Sequence, residues 1–583
     1  MDIFSVLTLL GGLAFFLYGM NVLSTGLERM AGGKLEGILK KMTSNRFKSL
    51  ALGAIITAVI QSSSAMTVML VGLVNSGIMT IRQSIGVIMG SNIGTTITAW
   101  FLSLVQLESN SVFTKMLKPE NFSLVFAFVG ILLIMMSKSS KKKDIGSIMV
   151  GFAILMYGMK QMGDAVKPLA EVPEFTNLLT AFNNPILGVV VGALITAAIQ
   201  SSSASVGILQ ALSLTGGITY GMAFPIIMGQ NIGTCVTALI SSIGVGRNAK
   251  KVSVVHVSFN VIGTVVCLCL YGIANLLFDI AIVNSPIDAA GIAVVHSLFN
   301  IFTTFMLLPF IGLLENIANF VLKDNGEKDK VKTNELLDSR LLATPSVAIM
   351  ECDALTTKMS VTAKETLLLA IDSLKKYRES DAEKIIEMED ILDRYEDKLG
   401  TYLVQLSSKK LSEEDSKKVS KMLHSIGDFE RLGDHAVNIL KTAKELHDKQ
   451  LSFSEAAEKE LAILVSALKD ILVQTTAAYE SNDTVAATDI EPLEQVIDKL
   501  VDLVKARHIK RLQGGSCSIE MGFILSDLLN NFERVSDHCS NIAVSIIEIE
   551  HNAFDTHKYL SGVKHNDEKF KESFARYSKK YVI

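Results

Sequence analysis

Four residues capable of holding a small ion, Gln61-Ser62-Ser63-Ser64, stand inside strongly apolar sequence, and the same string returns as Gln200-Ser201-Ser202-Ser203. Hydroxyls and amides are costly in hydrocarbon unless they face a cavity or a ligand. The copies are 139 positions apart, and that offset holds without a gap over a longer stretch. Tyr18-Gly19-Met20 returns as Tyr157-Gly158-Met159. Gly90-x-Asn92-Ile93-Gly94-Thr95 returns as Gly229-x-Asn231-Ile232-Gly233-Thr234. Neither serine motif contains an acid or a base, so a ligand would be held by dipoles: hydroxyls, amides and backbone groups freed where a helix breaks. Helix N-termini favour anions, whereas carbonyl and hydroxyl oxygens suit a hard cation such as Na⁺. A site offering both suits an oxyanion carried with sodium, because the cation offsets the desolvation cost of the anion. These residue types do not choose among phosphate, sulfate and a carboxylate.

The elements that must position these groups are membrane spans. The chain has 583 residues, 49% of them hydrophobic, but the average mixes two regions. Up to about residue 322 the sequence is a series of apolar stretches; from Lys323 it turns charged and polar-helical. We expect a polytopic membrane domain over 1–322, a linker over 323–344, a soluble helical domain over 345–551 and a tail over 552–583. A crossing takes roughly 20 apolar residues, which predicts spans near 3–24, 84–104, 121–137, 145–162, 222–243, 252–279 and 288–321. The first of these reads as a retained span rather than a cleaved signal, lacking a basic leader and a small-residue cleavage site. The stretches near 49–76 and 188–216 are broken in the middle by the serine motifs and read as re-entrant hairpins. The repeats cover about 11–100 and 150–239.

Basic residues orient the repeats. Residues 25–48 carry Arg29, Lys34, Lys40, Lys41, Arg46 and Lys48, while the matching 164–187 carries Lys167 alone. After the second motif, 242–251 carries Arg247, Lys250 and Lys251, while its counterpart 103–112 has no basic residue. Under the positive-inside rule, the loops at 25–48, 138–143 and 242–251 are cytoplasmic, as is the C-terminal domain, and the N-terminus is outside. One unit used twice with opposite orientation is a transporter architecture, with substrate bound near the midplane where broken helices meet. The glycines flanking Asn92 and Asn231 permit close backbone approach, for a ligand or for helix packing. His256-x-x-Phe259-Asn260 and His296-x-x-Phe299-Asn300 form another doublet, better read as cross-links between helices than as pathway residues.

With these motifs in place, the first 320 residues resemble the type II sodium/phosphate cotransporter family. The resemblance implies sodium-driven import of inorganic phosphate, with Gln61 to Ser64 and Gln200 to Ser203 at the substrate and sodium sites, joined by Asn92, Thr95, Asn231 and Thr234. It also implies the plasma (inner) membrane of a bacterium. Oligomeric state stays open, a dimer being one option.

The polar half is doubled as well. Phe429-Glu430-Arg431-x-x-Asp434-His435-x-x-Asn438 recurs 103 residues later as Phe532-Glu533-Arg534-x-x-Asp537-His538-x-x-Asn541. Further acidic pairs, Glu389 with Asp393 and Glu494 with Asp498, lie upstream of each copy. Carboxylates at i and i+4 share a helix face and repel one another unless a cation intervenes. Mg²⁺, Mn²⁺ or iron would suit these oxygen ligands, and a solvated charged face is the competing reading. Residues 345–551 resemble PhoU-like phosphate-uptake regulators, which implies two three-helix bundles, acidic metal motifs and a regulatory role with a possible protein partner. The expected fold is therefore all-α throughout.

Two other function classes compete with transport. One is a membrane phosphate sensor or adaptor without net flux, and a variant of transport is a sodium symporter of another oxyanion. An enzyme is disfavoured, because the serines lack a neighbouring base and no phosphate-cradling loop with a lysine is present. Nucleic-acid binding lacks a basic face. The six cysteines show no paired spacing for a disulfide framework or zinc.

Overall fold

The computed structural model describes residues 3–31, 45–75, 79–104, 119–172, 181–243, 245–278, 280–323, 337–343, 345–409, 411–515, 517–551 and 568–583. Lys34, Lys40 and Lys41, most of loop 103–112, most of linker 323–344 and the first half of the tail lie outside them. The described residues are helical almost throughout and form no strand. The chain divides into two compact units, one of residues 1–347 with 411–413 and one of 348–410 with 414–583.

The first unit contains α1 (Ile3–Ala31), α2 (Arg46–Ile60), α3 (Ser63–Asn75), α4 (Ile81–Ser103), α5 (Pro119–Met136), α6 (Ser140–Val166), α7 (Pro185–Ile199), α8 (Ser202–Ser213), α9 (Tyr220–Ser241), α10 (Arg247–Phe278), α11 (Ala289–Leu307) and α12 (Ile311–Val321). Helices α1, α4, α6, α9, α10 and the α11–α12 pair are long and apolar enough to cross a bilayer. The third expected span is the shorter α5, and the expected span 288–321 is divided at Leu308–Phe310. Pro309 there removes a backbone donor, a physical reason for the break.

Helices α2, α3, α7 and α8 have 15, 13, 15 and 12 residues. At 1.5 Å per residue each is about 20 Å long, too short for a core of roughly 30 Å. They form two hairpins. After the break at Gln61 the chain returns to the start of α2: a Cβ on Gly86 would stand 2.8 Å from the Ser49 Cβ and 3.2 Å from the Arg46 carbonyl. Helix α4 then runs parallel to α2, and at tip level Thr98 Oγ1 donates to Gln61 Oε1 at 2.8 Å. The second half repeats this, with Gly188 against Pro225 and Gly233 against Thr196.

The relation between the halves is visible where α1 crosses α6. Gly12 and Gly19 correspond to Gly151 and Gly158 through the 139-residue offset. Gly12 packs on Gly158, and Gly19 packs on Gly151. A Cβ on Gly12 would stand 2.8 Å from the Met162 nitrogen, and one on Gly151 2.6 Å from the Leu23 nitrogen. Glycine is required because two backbones touch. Such reciprocal contact is the mark of a two-fold axis. Because α1 and α6 run antiparallel, the axis lies across them, and one repeat is upside down relative to the other.

The second unit holds α13 (Pro345–Ser373), α14 (Glu379–Ser407), α15 (Glu413–Asp448), α16 (Glu455–Ser481), a short α17 (Thr484–Thr488), α18 (Ile490–Gln513), α19 (Ile519–His551) and α20 (Glu568–Lys580). Two three-helix bundles, α13–α15 and α16–α18–α19, carry the repeat. Helix α16 is also apolar enough for a span, but Leu464, Leu468, Ile471 and Leu472 are buried in a helical bundle. Part of the tail belongs to this unit: α20 docks through Tyr577 to Gln474 (2.9 Å), Arg576 to Asp489 (2.9 Å), and Lys580 and Tyr581 to Asp470.

Candidate functional site

Each serine motif begins with the same unusual backbone. Gln61 and Gln200 end their helices in the left-handed region, at φ 59°, ψ 22° and φ 59°, ψ 24°. Glycine adopts this conformation freely, whereas another L-residue pays roughly 1–2 kcal/mol. The following serine caps the second helix: Ser62 Oγ accepts from Ala65 N at 3.1 Å, and Ser201 Oγ from Ala204 N at 3.2 Å. Each tip thus opposes the carbonyl end of one helix to the N–H end of the next.

The two tips meet. Gln61 to Ser64 and Gln200 to Ser203 line one open cavity of about 220 Å³, together with Leu17, Met20, Asn21 and Ser24 of α1. No titratable side chain is among these lining residues. The volume equals about seven waters at ~30 Å³ each, room for a tetrahedral oxyanion with small cations. Hydroxyl and amide dipoles can serve both, the anion at the starts of α3 and α8 and a cation at oxygens.

Asn92, Thr95, Asn231 and Thr234 do not line this cavity. Asn92 Nδ2 donates to Asn260 Oδ1 at 3.3 Å, and Asn231 Nδ2 to the Ile227 carbonyl at 3.3 Å. Thr95 and Thr234 bond to carbonyls one turn back, on Ser91 and Gln230. Asn260, from the His-x-x-Phe-Asn doublet, ties α10 to α4 and α9 through Asn92 and Cys235. The cross-linking reading of that copy therefore matches the bonds it makes.

Sequence reasoning missed Asn21 and Ser24. Ser24 Oγ donates to the Ile60 carbonyl at the end of α2. Their counterparts at the 139 offset are Lys160 and Gly163, so a search for identical residues in both repeats passes over them. The spacing Asn21-x-x-Ser24 on one face of an apolar span was the available signal.

The tips also differ. Gln61 is 7% exposed and held by Thr98. Gln200 is exposed, and the hydroxyl of Thr237, which corresponds to Thr98, is buried without a hydrogen-bond partner. The two tips thus share a backbone conformation but differ in how their glutamine side chains are held.

In the second unit the acidic pairs gather into two groups. Burial, Asp434 and Asp393 hold Glu430 above the usual carboxylate range, and burial with Asp434 does the same for Asp393. Burial and then Asp393 raise Glu389. In the other copy, Glu494, Asp498 and Asp537 each offer an oxygen within 4.8 Å of the others. Burial leads the upward shift of Asp498 and Asp537, with Glu533 contributing to both.

Comparison with known proteins follows the same division. The Na+/Pi-cotransporter family profile matches residues 15–164 and again 154–294, and the PhoU domain profile matches 356–443 and 462–546. The chain belongs to the Na+/Pi-cotransporter family and carries a PhoU domain. It is 21% identical to a Salmonella typhimurium protein named "Putative inorganic phosphate export protein YjbB", over 93% of this chain and 98% of that one. It is 29% identical to the Bacillus subtilis protein YqeW, over 53% of this chain and 95% of that one. A human protein, sodium-dependent phosphate transport protein 2B, is 32% identical over 22% of this chain and 19% of its own. This Na+/Pi-cotransporter family member thus has a relative matching nearly its whole length, including the PhoU half.

Proposed function

We propose that this protein is a sodium-coupled inorganic phosphate symporter whose PhoU domain regulates it. The single observation that carries the proposal is that both Gln-Ser-Ser-Ser tips, from oppositely oriented repeats, line one uncharged cavity. Phosphate takes the N–H ends of α3 and α8, and sodium takes hydroxyl and amide oxygens, so that neither ion enters at its full desolvation cost. Asn92 acts by tying α4 to α10, and Thr95, Asn231 and Thr234 act by bonding within α4 and α9, the helices that pack on the hairpins. Alternating access is an exchange of tip conformations: Gln61 leaves Thr98 as Gln200 engages Thr237.

The protein sits in a bacterial plasma membrane with its PhoU domain in the cytoplasm. Supporting this, Gly246 N donates to Asn75 Oδ1 at 3.0 Å and Arg247 to the Lys323 carbonyl at 2.7 Å, which gathers the ends of α3, α10 and α12 beside the basic loop 242–251. Glu389, Asp393, Glu430 and Asp434, and separately Glu494, Asp498, Glu533 and Asp537, would hold Mg²⁺, Mn²⁺ or iron, whose charge would relieve the repulsion among these carboxylates.

A symporter moves solute in whichever direction the summed gradients dictate, and the name of the Salmonella relative favours a second reading, net export. Proteoliposomes test both. An inward sodium gradient should drive labelled phosphate inward, and an outward one should empty preloaded vesicles. Flux indifferent to sodium would overturn coupling; no flux in either arrangement would overturn transport and leave a sensor.

A further inference from the structure

The two bundles of the PhoU half meet at a second pseudo-two-fold axis. His435 and His538, one per repeat, lie with ring centroids 5.5 Å apart. His435 Nδ1 pairs with Asn531 Oδ1 at 2.8 Å, and His538 Nδ1 with Asp428 Oδ1 at 2.8 Å. These are the same contact taken in both directions, because Asp428 corresponds to Asn531 at the 103-residue offset. On one side of the histidine pair opens a cleft of about 360 Å³, lined chiefly by His435, Asn438, Lys441, Asn530, Asn531 and Arg534.

The repeat makes its own control. Across the axis the corresponding residues are His538, Asn541, Val544, Gly427, Asp428 and Arg431. The sister side has therefore lost a lysine and one amide, and it carries a carboxylate where the cleft carries Asn531. Its Asp428 is committed to His538 and Asn541, and Ser425 bonds Ser545 at 2.8 Å. At Asp527 the order reverses, since its counterpart is His424, but Lys441 and the Asn530 and Asn531 amides have no equivalent across the axis. Lys441 donates to the Asn438 amide oxygen at 3.2 Å and also acts through its charge on Glu389, and Glu445 is held by Lys449 at 2.7 Å. Arg534 is only loosely paired, 3.7 Å from Asp537, with its side chain 69% exposed.

We propose that this cleft binds a phosphate-bearing small molecule, with Lys441 and Arg534 on the phosphate oxygens and Asn438, Asn530 and Asn531 orienting it. Charge-assisted, forked recognition of phosphate is the chemistry that an arginine beside a lysine provides. The cleft is larger than phosphate alone needs, and the Asp527 carboxylate at its edge can accept from hydroxyl or amino groups. Both features match a phosphate ester of nucleotide size. The inference concerns the PhoU half alone and is independent of coupling and direction in the membrane half.

Equilibrium dialysis of the full-length, detergent-solubilised protein tests it, with labelled inorganic phosphate, AMP and ADP as separate probes. Lys441→Ala with Arg534→Ala should weaken binding at least 30-fold for one of these probes. Asn530→Gly, which copies the sister side, should weaken it about tenfold, and Arg431→Ala on the sister side should change it less than threefold. These side chains lie at a surface cleft, and unchanged melting of the alanine variants verifies the fold, while Asn530→Gly lowers melting only by the small cost of glycine within a helix. An effect on AMP or ADP identifies an ester as the ligand; an effect on inorganic phosphate alone identifies the free ion. Phosphate bound in the membrane cavity is indifferent to the double variant, so the two sites separate. If no probe loses affinity in the double variant, the assignment is wrong.

Discussion

Ser62 does two jobs that a pair of substitutions can separate. Its hydroxyl caps α3 through Ala65 N at 3.1 Å, and its side chain lines the cavity between the tips. Ser62→Ala removes the cap and should cost about 1 kcal/mol, the usual worth of an N-cap serine. Ser62→Asp keeps an N-cap acceptor and adds favourable charge at a helix N-terminus, so melting should return to near wild type. The added carboxylate, however, stands inside the cavity proposed for the anion. At a separation of about 4 Å and an effective dielectric near 20, each unit of phosphate charge is repelled by roughly 4 kcal/mol, a loss of about 10³ in affinity. Phosphate uptake by proteoliposomes, titrated with phosphate at saturating sodium, should show the apparent KM of Ser62→Asp beyond measurable range, while Ser62→Ala remains titratable. Ser201→Asp should behave the same way, since its cap and cavity contacts are equivalent. A stable Ser62→Asp protein with wild-type phosphate affinity would refute the placement of the anion between the tips.

Four further outcomes follow from named contacts. Thr98→Val breaks the Gln61 bond and Thr237→Val removes the hydroxyl that the proposed exchange gives to Gln200, so cysteine-accessibility labelling at the two tips should shift in opposite directions by several-fold. Gly158→Val forces apart backbones that now touch, and overpacking of this kind costs about 1–3 kcal/mol or more, read as a lower melting temperature of the membrane unit. Glu460 is held by Arg511 at 2.9 Å and Arg507 at 3.4 Å, and Arg507 also reaches the Ile583 carbonyl. Glu460→Ala strands largely buried Arg511 and should destabilise the PhoU unit by about 3 kcal/mol, measured in denaturant. Asp498 and Asp537 titrate above the usual aspartate range when folded, so the folded unit holds protons that the unfolded chain has released. Their contribution to stability is present below the unfolded value, near 4, and is lost as pH rises through the raised folded values. Asp498→Asn with Asp537→Asn should flatten the fall in melting temperature across that window, and Mg²⁺ or Mn²⁺ should raise the melting temperature of the parent protein at pH 7 but not of the variant.

Sequence carried much of the fold because each feature was local or periodic. Apolar runs of crossing length mark α1, α4, α6, α9 and α10, and a polar string midway along an otherwise apolar stretch marks each hairpin tip. The 139-residue and 103-residue offsets exposed both duplications. Hidden from it were features set by a partner residue far along the chain. Asn92 and Asn231 have the types of ligand residues, yet their bonds go to Asn260 and to a carbonyl one turn back. Asn21 and Ser24 look like incidental polar residues until α1 is laid against Ile60.

By itself, the sequence determined that this chain has two inverted membrane repeats with polar tips and a doubled acidic helical half, because period, hydrophobicity and charge are written residue by residue. Only the tertiary structure decided that the two tips share one cavity, and that Gln61 is latched while Gln200 is not. Identical strings in two halves can hold their glutamine side chains differently, since a hydrogen bond such as Thr98 to Gln61 depends on where two helices come to rest. The same reason separates the cleft beside His435 from its sister face: the substitutions are visible in one dimension, but which of them face one another is fixed by packing.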